Sequence, residues 1–139
     1  MIILDTNVIS ELMRAEPAEG VARWIADRST TSLCTTVITQ AEILFGAQLL
    51  PKGKRRDAIE QKADVLFDRG FAGRVFPFDG EAARAYARIA GTRSRAGRPI
   101  SMADAQIAAI ARSLGFDLAT RNVSDFQGCG IDLLDPWSA

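Results

Sequence analysis

The chain has 139 residues, 47% hydrophobic and 24% charged, which suits one domain spanning 1–139 with a core of ordinary size. Seventeen Lys and Arg balance seventeen Asp and Glu, so net charge alone gives no case for a polyanionic partner. There is no histidine. Its absence excludes Ser-His-Asp hydrolysis, histidine proton shuttling and histidine-ligated zinc.

Ile2-Ile3-Leu4 is a short, wholly apolar run that stops at a polar cluster, the pattern of a strand covered on both faces. Helical patterns follow over Val8–Arg14 and Glu19–Arg28. Leu33–Thr36 reads as the second strand. Thr39 opens a longer helix with Ile43, Leu44, Ala47 and Leu50 at apolar positions, broken by Pro51-Lys52-Gly53. Another helix is expected over Arg55–Phe71, and a third strand over Arg74–Phe78. Glu81–Ala96 reads as a helix closed by Gly97 in a left-handed cap. Ser101–Leu114 is the clearest helix, with Ala103, Ile107, Ile110, Ala111 and Leu114 as its buried stripe and Gly115 as its stop. Leu118–Thr120 and Ile131–Leu134 complete five strands.

Strands alternating with helices predict an α/β fold, a central parallel five-stranded sheet flanked by helices. Cys34 lies in an apolar stretch and reads as a small buried residue; two cysteines, Cys34 and Cys129, are too few for a disulfide framework. The opening residues carry no basic run of the kind that begins a secretory leader. No stretch approaches the ~18 apolar residues needed to span a bilayer. Cytoplasmic residence with reduced thiols and no membrane contact is expected.

In a parallel sheet, ligands bind at the carboxyl ends of the strands, where the strand order reverses. Asp5 ends the first strand, Glu42 is expected in the first turn of the helix after the second, and Asp104 in the first turn of the helix before the fourth. Asn122 and Asp125 follow the fourth strand. Carboxylates gathered at one edge repel one another unless a cation lies between them. Oxygen-only donors favour Mg²⁺, with Mn²⁺ as a substitute. Such a site suits phosphodiester hydrolysis, which needs no histidine. Each acid also has a structural reading. Thr39–Glu42 and Ser101–Asp104 both fit a capping box, and Asp5 is placed to cap the helix after it.

Leu4-Asp5-Thr6-Asn7-Val8-Ile9-Ser10-Glu11 resembles the opening signature of PIN-domain proteins. Ile38-Thr39-Gln40-Ala41-Glu42-Ile43-Leu44-Phe45-Gly46 and Ala103-Asp104-Ala105-Gln106-Ile107-Ala108-Ala109 resemble the second and third motifs of that family. Ala119-Thr120-Arg121-Asn122, Asp125-Phe126 and the ending Asp135-Pro136-Trp137 resemble its C-terminal part. Four short motifs in order are specific, and the similarity lies nearest the VapC-type toxins of toxin–antitoxin pairs, on the FitB-like branch. The resemblance implies a homodimeric, metal-dependent endoribonuclease acting on tRNA or other structured RNA. It also implies a cognate antitoxin that wraps the toxin, inserts a basic side chain into the acidic pocket, and alone contacts operator DNA. By position, Asp5, Glu42 and Asp104 would be metal ligands. Thr6, Asn7 and Thr120 would support them. Asn122 stands where many relatives have a fourth acid, so one firm metal is expected, with Asp125 assisting.

RNA must be attracted past the acidic pocket by nearby cations. Arg84, Arg88, Arg93, Arg95 and Arg98 lie in a stretch with no acid leading to the Asp104 helix, and Lys52, Lys54, Arg55 and Arg56 form a second basic run. Both also read as solvated helix faces. No aromatic base-stacking platform is apparent. Val21, Trp24 and Ile25 offer an apolar stripe to a partner or to the core. A catalytically silent module that only binds an antitoxin, and a DNA-directed nuclease, are the competing readings. A haloacid-dehalogenase-type phosphatase is disfavoured because the position two after Asp5 is Asn7, and a receiver domain because Asp5 has no acidic neighbour.

Overall fold

A strand with apolar side chains on both faces folds only where both faces are covered. The computed structural model, which describes residues 1–138, satisfies this with helices on either side of one sheet; residue 139 of the expected domain lies outside the described residues. In chain order the elements are β1 (Ile2–Leu4), α1 (Thr6–Leu12), α2 (Glu19–Ala26), β2 (Leu33–Thr36), α3 (Val37–Gln48), α4 (Lys54–Val65) and β3 (Val75–Phe76). Then come α5 (Gly80–Arg95), α6 (Met102–Leu114), β4 (Asp117–Ala119) and β5 (Leu133–Leu134). The five strands are parallel, in the order β3-β2-β1-β4-β5. The expected α/β architecture is the observed one.

Successive strand residues face opposite ways. Ile3, Cys34 and Leu118 enter one core cluster, with Ile89 of α5 and Ile107 and Ile110 of α6. Their neighbours Leu4, Leu33 and Ala119 enter the other, with Val8 and Ile9 of α1, Trp24 of α2 and Ala63 of α4. Trp24 is therefore core rather than partner surface. Burial pushes the Cys34 thiol up to about 11, so it behaves as a small unreactive apolar residue.

Several boundaries differ from expectation, each for a local reason. The first helix begins at Thr6 rather than Val8, because Asp5 is its N-cap and accepts from the Thr6 amide at 2.8 Å. The third begins at Val37, capped by Thr36, whose hydroxyl accepts from the Thr39 amide at 3.2 Å. Thr39 and Glu42 therefore do not form a capping box, and Glu42 lies in the second turn rather than the first. Ser101 does cap α6, accepting from the Asp104 amide at 3.2 Å. Asp79 caps α5, which starts one residue before the expected position. Gly97 and Gly115 close α5 and α6 with φ of +71° and +69°, where an L side chain is strained. β3 stops at Phe76 because Pro77 has no amide for the ladder. Leu114, in the last turn of α6, is 39% exposed and leaves the predicted buried stripe. Among the described residues, no helix is long and apolar enough to cross a membrane.

Candidate active site

The strand order reverses at β1, which has β2 on one side and β4 on the other. The carboxyl ends of β1 and β4 lie side by side: the Asp5 amide donates to the Ala119 carbonyl at 2.9 Å. Asp5 and Thr120 thus emerge together at the switch point, where open α/β sheets bind ligands. The Thr120 hydroxyl donates to Asp5 Oδ2 at 2.7 Å and accepts from the Asn122 amide at 3.1 Å. Asn7 Nδ2 lies 3.4 Å from Asp5 Oδ2 and 3.3 Å from Thr120 Oγ1, while its Oδ1 accepts from the Arg121 amide at 3.2 Å. Asn7 therefore staples the start of α1 to the end of β4.

Thr6 works on the other side. Its hydroxyl donates to Glu42 Oε1 at 2.7 Å and meets the Thr39 hydroxyl at 3.0 Å. Thr39 and Glu42 are three residues apart on α3, so this links one helix face to the β1 end. Asp5, Thr6, Asn7, Glu42, Asp104 and Asn122 line one open cavity of about 540 Å³. Thr120 is fully buried behind it. Asp125 is exposed and lines a neighbouring cavity of about 250 Å³ that shares Asp104.

The electrostatics match this crowding. Burial, with smaller contributions from the Asp104 and Glu42 charges, raises Asp5 to about 6 despite its hydrogen bonds from Thr120 and Thr6. Burial also raises Asp104, reinforced by Asp125 and Glu42 and opposed by Ser101 and Arg93. Among the described residues none of these acids forms an ion pair with Lys or Arg. Nor do three acidic or sulfur groups converge tightly enough to form a ready-made metal shell among the described residues.

The predicted arginine stretch divides. Arg84, Arg88, Arg95 and Arg98 are exposed, and Arg84 is paired with Glu81 at 3.1 Å. Arg93 is buried and corrects the expectation of a surface contact. Its Nε donates to the Arg98 carbonyl at 2.7 Å, and its Nη1 to the Asp125 and Gln127 carbonyls at 2.9 and 3.0 Å. It faces the protein because position 93 shares the inner face of α5 with Ala82, Ala85 and Ile89.

Five further residues line the carboxylate cavity that sequence reasoning did not place there: Ser10, Glu11, Arg14, Arg121 and Trp137. Glu11 is buried, accepts from the Ala18 amide at 2.9 Å and pairs with Arg14 at 3.1 Å. Its position, one helical turn after Asn7, was a usable signal. Trp137 is marked only by the Asp135-Pro136-Trp137 ending that resembles the family's C-terminal part. A second cavity of about 500 Å³ shares Thr6, Ser10, Arg14 and Glu42 and continues between α1, α3 and α4 past Met13, Ile43 and Leu50.

The family model for the PIN domain matches residues 2–127. VapC ribonuclease Y4jK of Sinorhizobium fredii is 43% identical, over 99% of this chain and 98% of its own length. Toxin FitB of Neisseria gonorrhoeae is 36% identical over 137 residues, 99% of both chains. The solved structure of FitAB bound to an IR36 DNA fragment superposes with a TM-score of 0.91 at 36% identity, covering 99% of this chain and 96% of that one. With the motifs in order and the acids at the switch point, the chain belongs to the PIN-domain family, among its VapC-type toxins.

Proposed function

We propose that the chain is a metal-dependent endoribonuclease, the toxin of a toxin–antitoxin pair, hydrolysing RNA phosphodiesters at the Asp5–Glu42–Asp104 cavity. One observation carries this reading. Two acids with raised pKa values and a third beside them share a switch-point cavity, and among the described residues none of the three forms an ion pair with Lys or Arg. A fold holds such repelling charges together when a ligand of opposite sign completes them.

The donor set is carboxylate and amide oxygen only, which fits Mg²⁺ or Mn²⁺ and not a soft metal. Asp5, Glu42 and Asp104 would hold the ion, with Asn122 as a neutral oxygen beside them. When bound, the ion supplies an activated water and offsets phosphate charge. The protein's own groups do the orienting. Thr120 and Asn7 hold Asp5 Oδ2, the Thr6 amide holds Oδ1, and the Thr6 hydroxyl holds Glu42 in place beside them. Asp125 adds negative charge to Asp104 from the neighbouring cavity.

The second cavity would take a segment of the antitoxin and lead its basic side chain to Glu42. Operator DNA would be reached through that partner alone, in an assembly like the DNA-bound FitAB complex. Phe45 on α3 and Leu49, the C-cap one turn after it, are 64% and 71% exposed and would be covered by a second copy in a homodimer.

The test is to incubate the partner-free chain with a panel of tRNAs and structured RNAs in Mg²⁺, Mn²⁺ or EDTA, beside Asp5→Asn. Site-specific cleavage is expected only with metal, falling roughly 10³-fold in Asp5→Asn, the loss of several kcal/mol of charge stabilisation. Folded protein that binds Mn²⁺ and cuts no RNA would replace this reading with a silent or DNA-directed module. Arg95→Glu with Arg98→Glu is expected to weaken RNA binding and reduce its salt slope by about two, one for each phosphate no longer neutralised. An unchanged slope removes that patch from the RNA path.

A further inference from the structure

Two arginines line the carboxylate cavity, and they are held in different ways. Arg14 is paired with Glu11 at 3.1 Å. Arg121 has no carboxylate partner among the described residues. Its guanidinium carbon lies 5.0 Å from the centre of the Trp137 ring instead. Each member of this pair is anchored by its backbone. Arg121 directly follows Thr120, and its amide donates to Asn7 Oδ1. The Trp137 amide donates to Asp135 Oδ1 at 2.9 Å, and the indole is half-buried against the core cluster behind β1.

The choice of an aromatic over a carboxylate has a consequence. An ion pair neutralises an arginine and occupies its donors, whereas a ring beneath it leaves the charge and the N–H fork free. A guanidinium held in this way matches a phosphate, which it binds through two parallel hydrogen bonds. The cavity needs such a group, because its acids otherwise repel the substrate they are to cleave.

We propose that Arg121 is the phosphate clamp of the cavity, gripping a non-bridging oxygen of the RNA backbone beside the carboxylates, and that Trp137 is its positioning residue. This rests on the ribonuclease reading above. It also assigns Trp137 a role other than base stacking, as the ring over which the Arg121 guanidinium lies.

The test uses the full chain and an RNA that the wild type cleaves. Binding is measured in EDTA as a function of salt, with KM and kcat in Mg²⁺ and Mn²⁺ affinity alongside. Arg121→Ala is expected to weaken RNA binding about tenfold or more and to lower the salt slope by about one, with Mn²⁺ affinity unchanged. Arg121→Lys keeps the slope and recovers only part of the affinity. Trp137→Ala keeps the slope but raises KM severalfold, and Trp137→Phe restores it. If Arg121→Ala binds RNA with wild-type affinity and slope while the wild type cleaves, the clamp alone is overturned. If the folded wild type neither binds nor cleaves RNA, the ribonuclease reading and the clamp fall together.

Discussion

Arg93→Met is expected to lower the unfolding free energy by about 3–5 kcal/mol, far more than any other arginine substitution on α5. The methionine replaces the aliphatic stem but none of the donors. Three backbone carbonyls, those of Arg98, Asp125 and Gln127, then lose their partner. Each acceptor left without a donor costs up to about 1–3 kcal/mol, the more so the better it is shielded from water. The carbonyls belong to two segments that flank Asp104: the connection from α5 to α6 and the turn after β4. The loss should therefore loosen the Asp104–Asp125 side of the site as well as the fold. Urea unfolding of Arg93→Met, Arg93→Lys and Arg95→Glu measures it. Arg95→Glu should stay within about 0.5 kcal/mol of wild type, because Arg95 is exposed. A cost below about 1 kcal/mol for Arg93→Met would show that the guanidinium is dispensable to the fold.

The metal-free protein should also lose about 3 kcal/mol of stability through Asp5 alone as pH rises from about 4 to above 6. The sign follows from the raised pKa. Asp5 titrates near 3.8 in the unfolded chain and at about 6 in the fold, so the fold prefers the neutral carboxyl. Its contribution is fully present below 3.8 and is lost as pH passes through 6. A shift of that size corresponds to about 3 kcal/mol. Asp104 is raised too and adds a change of the same sign. Divalent cation should reverse the trend, because it binds only the ionised acids and stabilises the folded state by mass action. Chemical unfolding at about pH 4.5 and about pH 7.5, in EDTA and in Mn²⁺, compares the wild type with Asp5→Asn. The pH-dependent loss should be largely missing from Asp5→Asn. A wild type whose metal-free stability difference matched that of Asp5→Asn would sink the account.

The arrangement of the site divides between what local sequence marks and what only packing decides. Asp5, Glu42 and Asp104 are legible because each stands beside the end of a short apolar run or the start of a helix pattern, and a parallel sheet gathers such positions at one edge. Thr6, Asn7 and Thr120 are legible only through the family motifs; their hydrogen bonds to the acids and to one another, some across more than 100 residues, belong to the folded chain. The order of the strands, and so the place where it reverses, cannot be read from a run of alternating elements.

The arginines show the limit most clearly. Arg93, Arg95 and Arg98 look alike in a stretch without acids, yet one is buried and two are exposed. The difference is a rotation about the α5 axis and a nearby loop whose carbonyls need donors, neither of which is a property of residues 93–98 alone. Arg121 and Trp137 are far enough apart in the chain that they meet only because β5 and the C-terminal turn return past the end of β4. The sequence by itself determined the elements, the two-sided burial of the sheet and the three acids, since those follow from hydrophobic period, caps and breakers. Tertiary structure alone decided which cations serve the core and which face the cavity, because burial of a long charged side chain depends on partners that the fold brings from elsewhere.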